Sequence, residues 1–155
     1  MPLSWRKVIV LSSLSLGILI TATAIRAATY HLTGGGSATT GKQEPTAFPI
    51  DWELGLDSTA HTLNLEITML LPPIPGTWKE TGALTFKANA RQGYEDFLTT
   101  VNPDSKPKVK SFKFPKVFIL GTTLGGEVKA KSSAKSNGKR LTTNVSGFFS
   151  GELNP

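Results

Sequence analysis

Apolar and polar residues alternate strictly in several stretches of the chain, the two-residue period of a half-buried strand. Ile50-Asp51-Trp52-Glu53-Leu54-Gly55-Leu56 is one such run, and Leu63, Leu65, Ile67 and Met69 mark a second. Joining them through Ser58 to His61 sets Asp57 opposite Thr62. The apolar positions then face one another: Leu56 with Leu63, Leu54 with Leu65, Trp52 with Ile67, Ile50 with Met69. Loop length and hydrophobic face agree on this register, because a slip of one residue would turn every apolar side chain outward.

The same pattern predicts the other elements. A first strand lies near Tyr30 to Leu32. Leu71 to Gly76 reads LPPIPG, a rigid loop that no central strand could pass through. Ala83 to Ala88 alternates again, with Leu84 and Phe86 on one face. Tyr94, Phe97, Leu98 and Val101 have helical spacing and stop at Asn102-Pro103, predicting a short helix near 94–101. Lys108 to Leu120 is rich in strand formers, yet Val109 and Phe112 cannot share a face without an irregularity, and Pro115 marks a bulge or an edge. Asn137-Gly138 between two alternating runs is a strong hairpin signal. It sets Lys135 against Arg140, Ala130 against Val145 and Val128 against Gly147, with Leu141, Val145, Phe149 and Leu153 on one side. The sum is an all-β domain of about seven or eight antiparallel strands, a sandwich or a small closed barrel.

The first 28 residues follow a different rule. Arg6 and Lys7 precede an apolar run from Val8 to Ile20, and Ala22-Thr23-Ala24 supplies small residues at signal-peptidase spacing. The expectation is a signal peptide within residues 1–28, cut after Ala24 or alternatively after Ala27 or Ala28, ahead of a single β domain at 29–155. The product would be exported to a bacterial periplasm or the extracellular space; an uncleaved N-terminal helix tethering the domain is the alternative. The chain has no cysteine, which excludes a disulfide framework, thiolate metal sites and a lipid-modified cysteine.

Charge is unevenly distributed behind the formal net charge of +6. Residues 29–100 carry twice as many acids as bases, whereas residues 101–155 hold most of the lysines and only Asp104, Glu127 and Glu152 against them.

Few side chains point to catalysis. Gly36 to Lys42 has the spacing of a phosphate-binding loop, but Gln43 stands where Ser or Thr would hold magnesium and Pro45 prevents the helix that must follow. It reads as a flexible glycine-rich segment. His31 and His61 have no metal-site or triad spacing and read as solvent-facing. The hairpin register opposes Glu53 to Glu66, a like-charged pair that calls for compensation by a lysine, a calcium ion or acid/base chemistry. No metal or cofactor is expected. Lys129, Lys131, Lys135 and Arg140 share one face of the last hairpin and form a candidate site for an anionic polymer or membrane; without interleaved aromatic residues they do not point to nucleic acid.

The aromatic and lysine-bearing strand Phe112 to Val117, FKFPKV, with the acidic stretch before it, resembles bacterial YceI-type proteins. That resemblance implies a lipid-binding barrel. It covers a short stretch, and the start of the mature chain departs from that family's pattern, so no residue role is carried over. The reading is a non-enzymatic binding protein for an apolar small molecule or lipid, lined by Trp52, Leu54, Leu65, Ile67, Phe86, Val145 and Phe149. The alternatives are the lysine-based anion site and an exported hydrolase using Glu53 and Glu66.

Overall fold

Each alternating run has one apolar face, and the chain buries all of them by curling the sheet on itself. The computed structural model describes residues 27–155. It contains β1 (Ala27–Thr40), β2 (Thr46–Asp57), β3 (Thr62–Glu66), β4 (Ile74–Gly82), β5 (Thr85–Asn89), helix α1 (Arg91–Val101), a 3-10 turn (Pro103–Ser105), β6 (Lys108–Leu120), β7 (Thr123–Ser136) and β8 (Lys139–Leu153). The strands form a closed antiparallel barrel in chain order, with β8 returning to pair with β1. The expected signal peptide lies outside the described residues, except that Ala27 and Ala28 open β1.

The first hairpin keeps its predicted register from Asp57↔Thr62 to Glu53↔Glu66. Pairing ends there. A turn closed by the Leu71 amide on the Thr68 carbonyl (3.1 Å) carries the chain away from β2. Ile67 is therefore half-buried and Met69, expected on the inner face, is 88% exposed. The LPPIPG stretch also differs from expectation, since Ile74-Pro75-Gly76 already belongs to β4. Pro75 is accommodated because β3 is the one strand paired with β4 at that point (Pro75↔Asn64), with Gly93 of α1 packed on its other side; pairing with β5 starts at Thr77↔Asn89. Leu84 lies in the β4–β5 turn, exposed, while Phe86 points inward.

The irregularity expected in β6 is present twice, between Val109 and Ser111 and between Lys113 and Val117. These shifts keep Val109, Phe112, Phe114, Val117 and Ile119 all inside. The β7–β8 hairpin has the predicted pairs Lys135↔Arg140, Ala130↔Val145 and Val128↔Gly147. Its turn residues Asn137 and Gly138 have φ of 53° and 79°, the left-handed values that a two-residue hairpin loop requires.

The glycine-rich segment is ordered strand rather than flexible loop. Gly34, Gly35 and Gly36 pair with β2 on one side and β8 on the other. A Cβ built on Gly34 would lie 2.1 Å from the Phe148 carbonyl oxygen, so glycine is what lets β1 and β8 bend together at the closure.

The interior is apolar among the described residues, with no buried charged or polar residue. Aromatic side chains fill much of it: Phe112 meets Phe114 edge-on at 5.9 Å and Phe114 meets Phe149 at 5.6 Å. Helix α1 caps one end by burying Phe97 and packing Tyr94, tilted by 36°, against Phe112 at 4.5 Å. It is fixed to β6 by the Val109 amide, which donates to Glu95 Oε2 at 2.8 Å, and by Arg91, which donates to the Val109 carbonyl at 3.2 Å.

Candidate functional site

Strand directions place the β1–β2 and β3–β4 connections, α1 and the β7–β8 turn at one end, here the upper end. The β2–β3, β4–β5 and β6–β7 connections lie at the lower end. The two ends differ chemically. At the lower end the His61 ring stacks on Trp78 at 4.5 Å, and Trp78 donates from Nε1 to the Asp57 carbonyl at 3.2 Å. His61 Nε2 and Glu80 Oε1 are 3.0 Å apart. A loop, a strand and two rings are thus tied together over the lower core.

The upper end is apolar and only partly covered. Phe48 from β2, Ile67 and Leu71 from the β3–β4 connection, Tyr94 and Leu98 from α1, and Val145 from β8 all pack on the core while remaining half-buried. Met69 and Leu70 beside them are 88% and 92% exposed. Strands β1, β2, β7 and β8 extend to this end with Ala38, Phe48, Ala134 and Leu141 half-buried on their inner faces. Thr40 and Thr143 join hydroxyls across the β1–β8 seam at 2.9 Å. Burial against Phe112 and its neighbours pushes the Tyr94 hydroxyl above the usual phenol range.

All the side chains expected to line a ligand site point inward, and they divide into two groups. Trp52, Leu54, Leu65, Phe86 and Phe149 are buried in the core, whereas Ile67 and Val145 stand at the partly open upper end. Sequence reasoning did not find Phe48, Leu71, Tyr94 and Leu98 as neighbours of this end. Their spacing is ordinary, and only closure of the barrel brings the four elements together. It also did not find Tyr30, whose hydroxyl is the one buried side-chain polar atom without a hydrogen-bond partner among the described residues. Its removal from water raises its pKa.

The outer wall is divided by charge. On the β1–β2–β3 side, Glu53 does lie opposite Glu66. Compensation comes from residues outside the hairpin: His31 Nδ1 bonds Glu53 Oε2, and Asn154 donates to Glu53 Oε1 at 2.6 Å. His31 Nε2 also lies 3.0 Å from Asp51. His31 is solvent-facing as expected, but it is paired, and its bond to Glu53 raises its pKa. Among the described residues no group of three His, Asp or Glu side chains is placed to hold a metal ion.

The β4–β7 side is basic. Of the expected anion-binding residues, Lys129, Lys131 and Lys135 are exposed on β7. Lys129 is 3.5 Å from Glu127. Arg140 is committed within the fold, donating to Ser133 Oγ and to the Lys106 carbonyl, each at 3.0 Å. The chain matches no protein-family model and no curated protein sequence.

Proposed function

We propose that the chain is an exported, non-enzymatic binding barrel that takes an apolar small molecule at its upper end. The observation that carries this reading is the set of half-buried apolar residues Phe48, Ile67, Leu71, Tyr94, Leu98 and Val145, contributed by four elements and flanked by exposed Met69 and Leu70. Apolar residues at the mouth of a small barrel are where such folds hold ligands. The lower end has fewer such residues, half-buried Leu153 with exposed Leu84 and Leu120, and the His61–Trp78 stack lies over the core there. Export rests on the N-terminal pattern. A cut after Ala24 keeps all of β1, whereas a cut after Ala28 would remove the residue that pairs with Leu56.

The test is titration with Nile red, a neutral apolar dye that the lysines do not attract. Ile67→Asn and Val145→Asn should each weaken binding about tenfold, because one aliphatic side chain buried against a ligand is worth roughly 1.5 kcal/mol. Leu84→Asn, an exposed apolar position at the lower end, should leave binding unchanged. Equal weakening by all three substitutions, or by none, would contradict the site.

A further inference from the structure

We propose that the outer wall of β4, β5, β6 and β7 binds a linear polyanion carrying phosphate or sulfate groups. The starting point is an unfavourable arrangement. Lys79 of β4 lies directly opposite Lys87 of β5, and Lys113 of β6 lies directly opposite Lys129 of β7. Like charges directly opposed on a sheet destabilise it. Two such pairs recur on neighbouring strands, and the acids on these four strands are Glu127, 3.5 Å from Lys129, and Glu80, which pairs with His61.

A solubilising role does not account for this placement. Lysines discourage aggregation when they sit on unpaired strand edges. Lys87, Lys113 and Lys129 sit on strands flanked by a neighbour on either side in the closed barrel and have no such edge; Lys79 lies past the last β3–β4 pair, Thr62↔Thr77, with only β5 alongside.

The wall is also shaped. Beside the Lys113–Val117 irregularity of β6 a cleft of about 460 Å³ is lined by Lys79, Lys87 and Lys113 together with Thr77 and Asn89. No carboxylate lines it. Three ammonium groups, an amide and a hydroxyl are the donor set for a phosphate or sulfate oxygen. Beside the Val109–Ser111 irregularity a second cleft, of about 320 Å³, is lined by Lys108, Lys110 and Lys131 with Ser132, Ser133 and Thr142. Lys129, opposite Lys113 of the first cleft, links it along β7 to Lys131 of the second.

A repeated site along one strand favours a chain of anions over a single one. The lysines run around a convex wall across four strands, so a flat bilayer cannot meet them all, while a flexible polymer can follow them. Base stacking is not favoured: the exposed Phe118 ring already has Lys116 Nζ 4.9 Å from its centroid. The residues concerned are distinct from the upper apolar end, so the wall and the end can each bind or fail to bind independently.

The experiment compares the native protein with Lys79→Gln/Lys87→Gln/Lys113→Gln and with a charge-matched control outside the four strands, Lys42→Gln/Lys106→Gln/Lys139→Gln. Binding to fluorescent dextran sulfate and to long-chain inorganic polyphosphate is measured across a salt series. The cleft variant should flatten the slope of log affinity against log salt by about 3, one for each lysine that no longer neutralises an anionic group. The control should flatten it by less than about 1 if its lysines meet no anionic group. The unliganded cleft variant should be no less stable than the native protein at low salt. Equal losses in both variants would reduce the effect to net charge and overturn the proposal. So would competition by inorganic phosphate at equal charge concentration, or tighter binding to phosphatidylglycerol vesicles through the same lysines. Salt-sensitive self-association without polymer, lost in the cleft variant, would assign the face to the acidic side of a second copy and equally overturn it.

Discussion

The Tyr30 hydroxyl sits in an apolar interior with no protein partner among the described residues, and that sets the sign of a simple substitution. A buried hydroxyl stripped of water and left unpaired costs about 1–3 kcal/mol. Tyr30→Phe should therefore raise the stability of the ligand-free protein by about 1 kcal/mol in urea unfolding, within the range of that penalty. A fall in stability would mean that the hydroxyl has a partner in solution. His31 makes a second prediction. Its pKa is raised above the ordinary 6.5, first by the hydrogen bond to Glu53 and then by the nearby Glu53 and Asp51 charges. A raised folded-state value means that its stabilising contribution is complete below the unfolded value and is lost as pH rises through the folded one. The melting temperature at low salt should fall across that window in the native protein and stay flatter in His31→Gln, and NMR should place the ring's titration above 6.5. None of this was legible in the sequence. His31 and Glu53 are 22 positions apart and Glu53 and Asn154 are 101 apart, so their meeting depends on the β1–β2 register and on where the C-terminus lies.

At the scale of elements, legibility followed how local the signal is. The β2–β3 and β7–β8 registers could be read because a short loop and two alternating faces constrain each other. The β6 irregularities were visible as broken parity between Val109 and Phe112 and as Pro115. Strand β1 could not be read beyond its first residues, because Gly34 to Ala38 lacks the side chains by which a strand is recognised. Its glycines answer to a partner far along the chain: a Cβ on Gly34 would meet the Phe148 backbone, not a neighbour in sequence. Gly34→Ala should therefore destabilise the barrel by about 1–3 kcal/mol, the usual cost of overpacking, despite alanine's better strand entropy. Gly35→Ala, whose Cβ would meet nothing closer than the Phe48 carbonyl at 3.8 Å, is the control and should be near neutral. Equal effects in chemical denaturation would mean that close approach is not why Gly34 is glycine.

At the scale of the molecule, the alternating runs allowed either a sandwich or a barrel, and closure between β1 and β8 decides for the barrel. Closure also makes the two properties on which function is argued. It sets the acids Asp51, Glu53 and Glu66 and the lysines of β4 to β7 on different walls, and it gathers more half-buried apolar residues at the upper end than at the lower, where Leu153 packs. The expected lining was half legible in this sense: period two identified which side chains face inward, but it could not tell the packed core around Leu65 and Phe86 from the partly open end around Ile67 and Val145. The most direct test of the binding reading is native mass spectrometry of protein purified without organic solvent, run beside the Ile67→Asn/Val145→Asn variant. A discrete mass excess of a bound small molecule is expected on the native chain, lost on solvent extraction and depleted in the variant. The bare chain mass in both preparations, or the same adduct at the same occupancy in both, would contradict it.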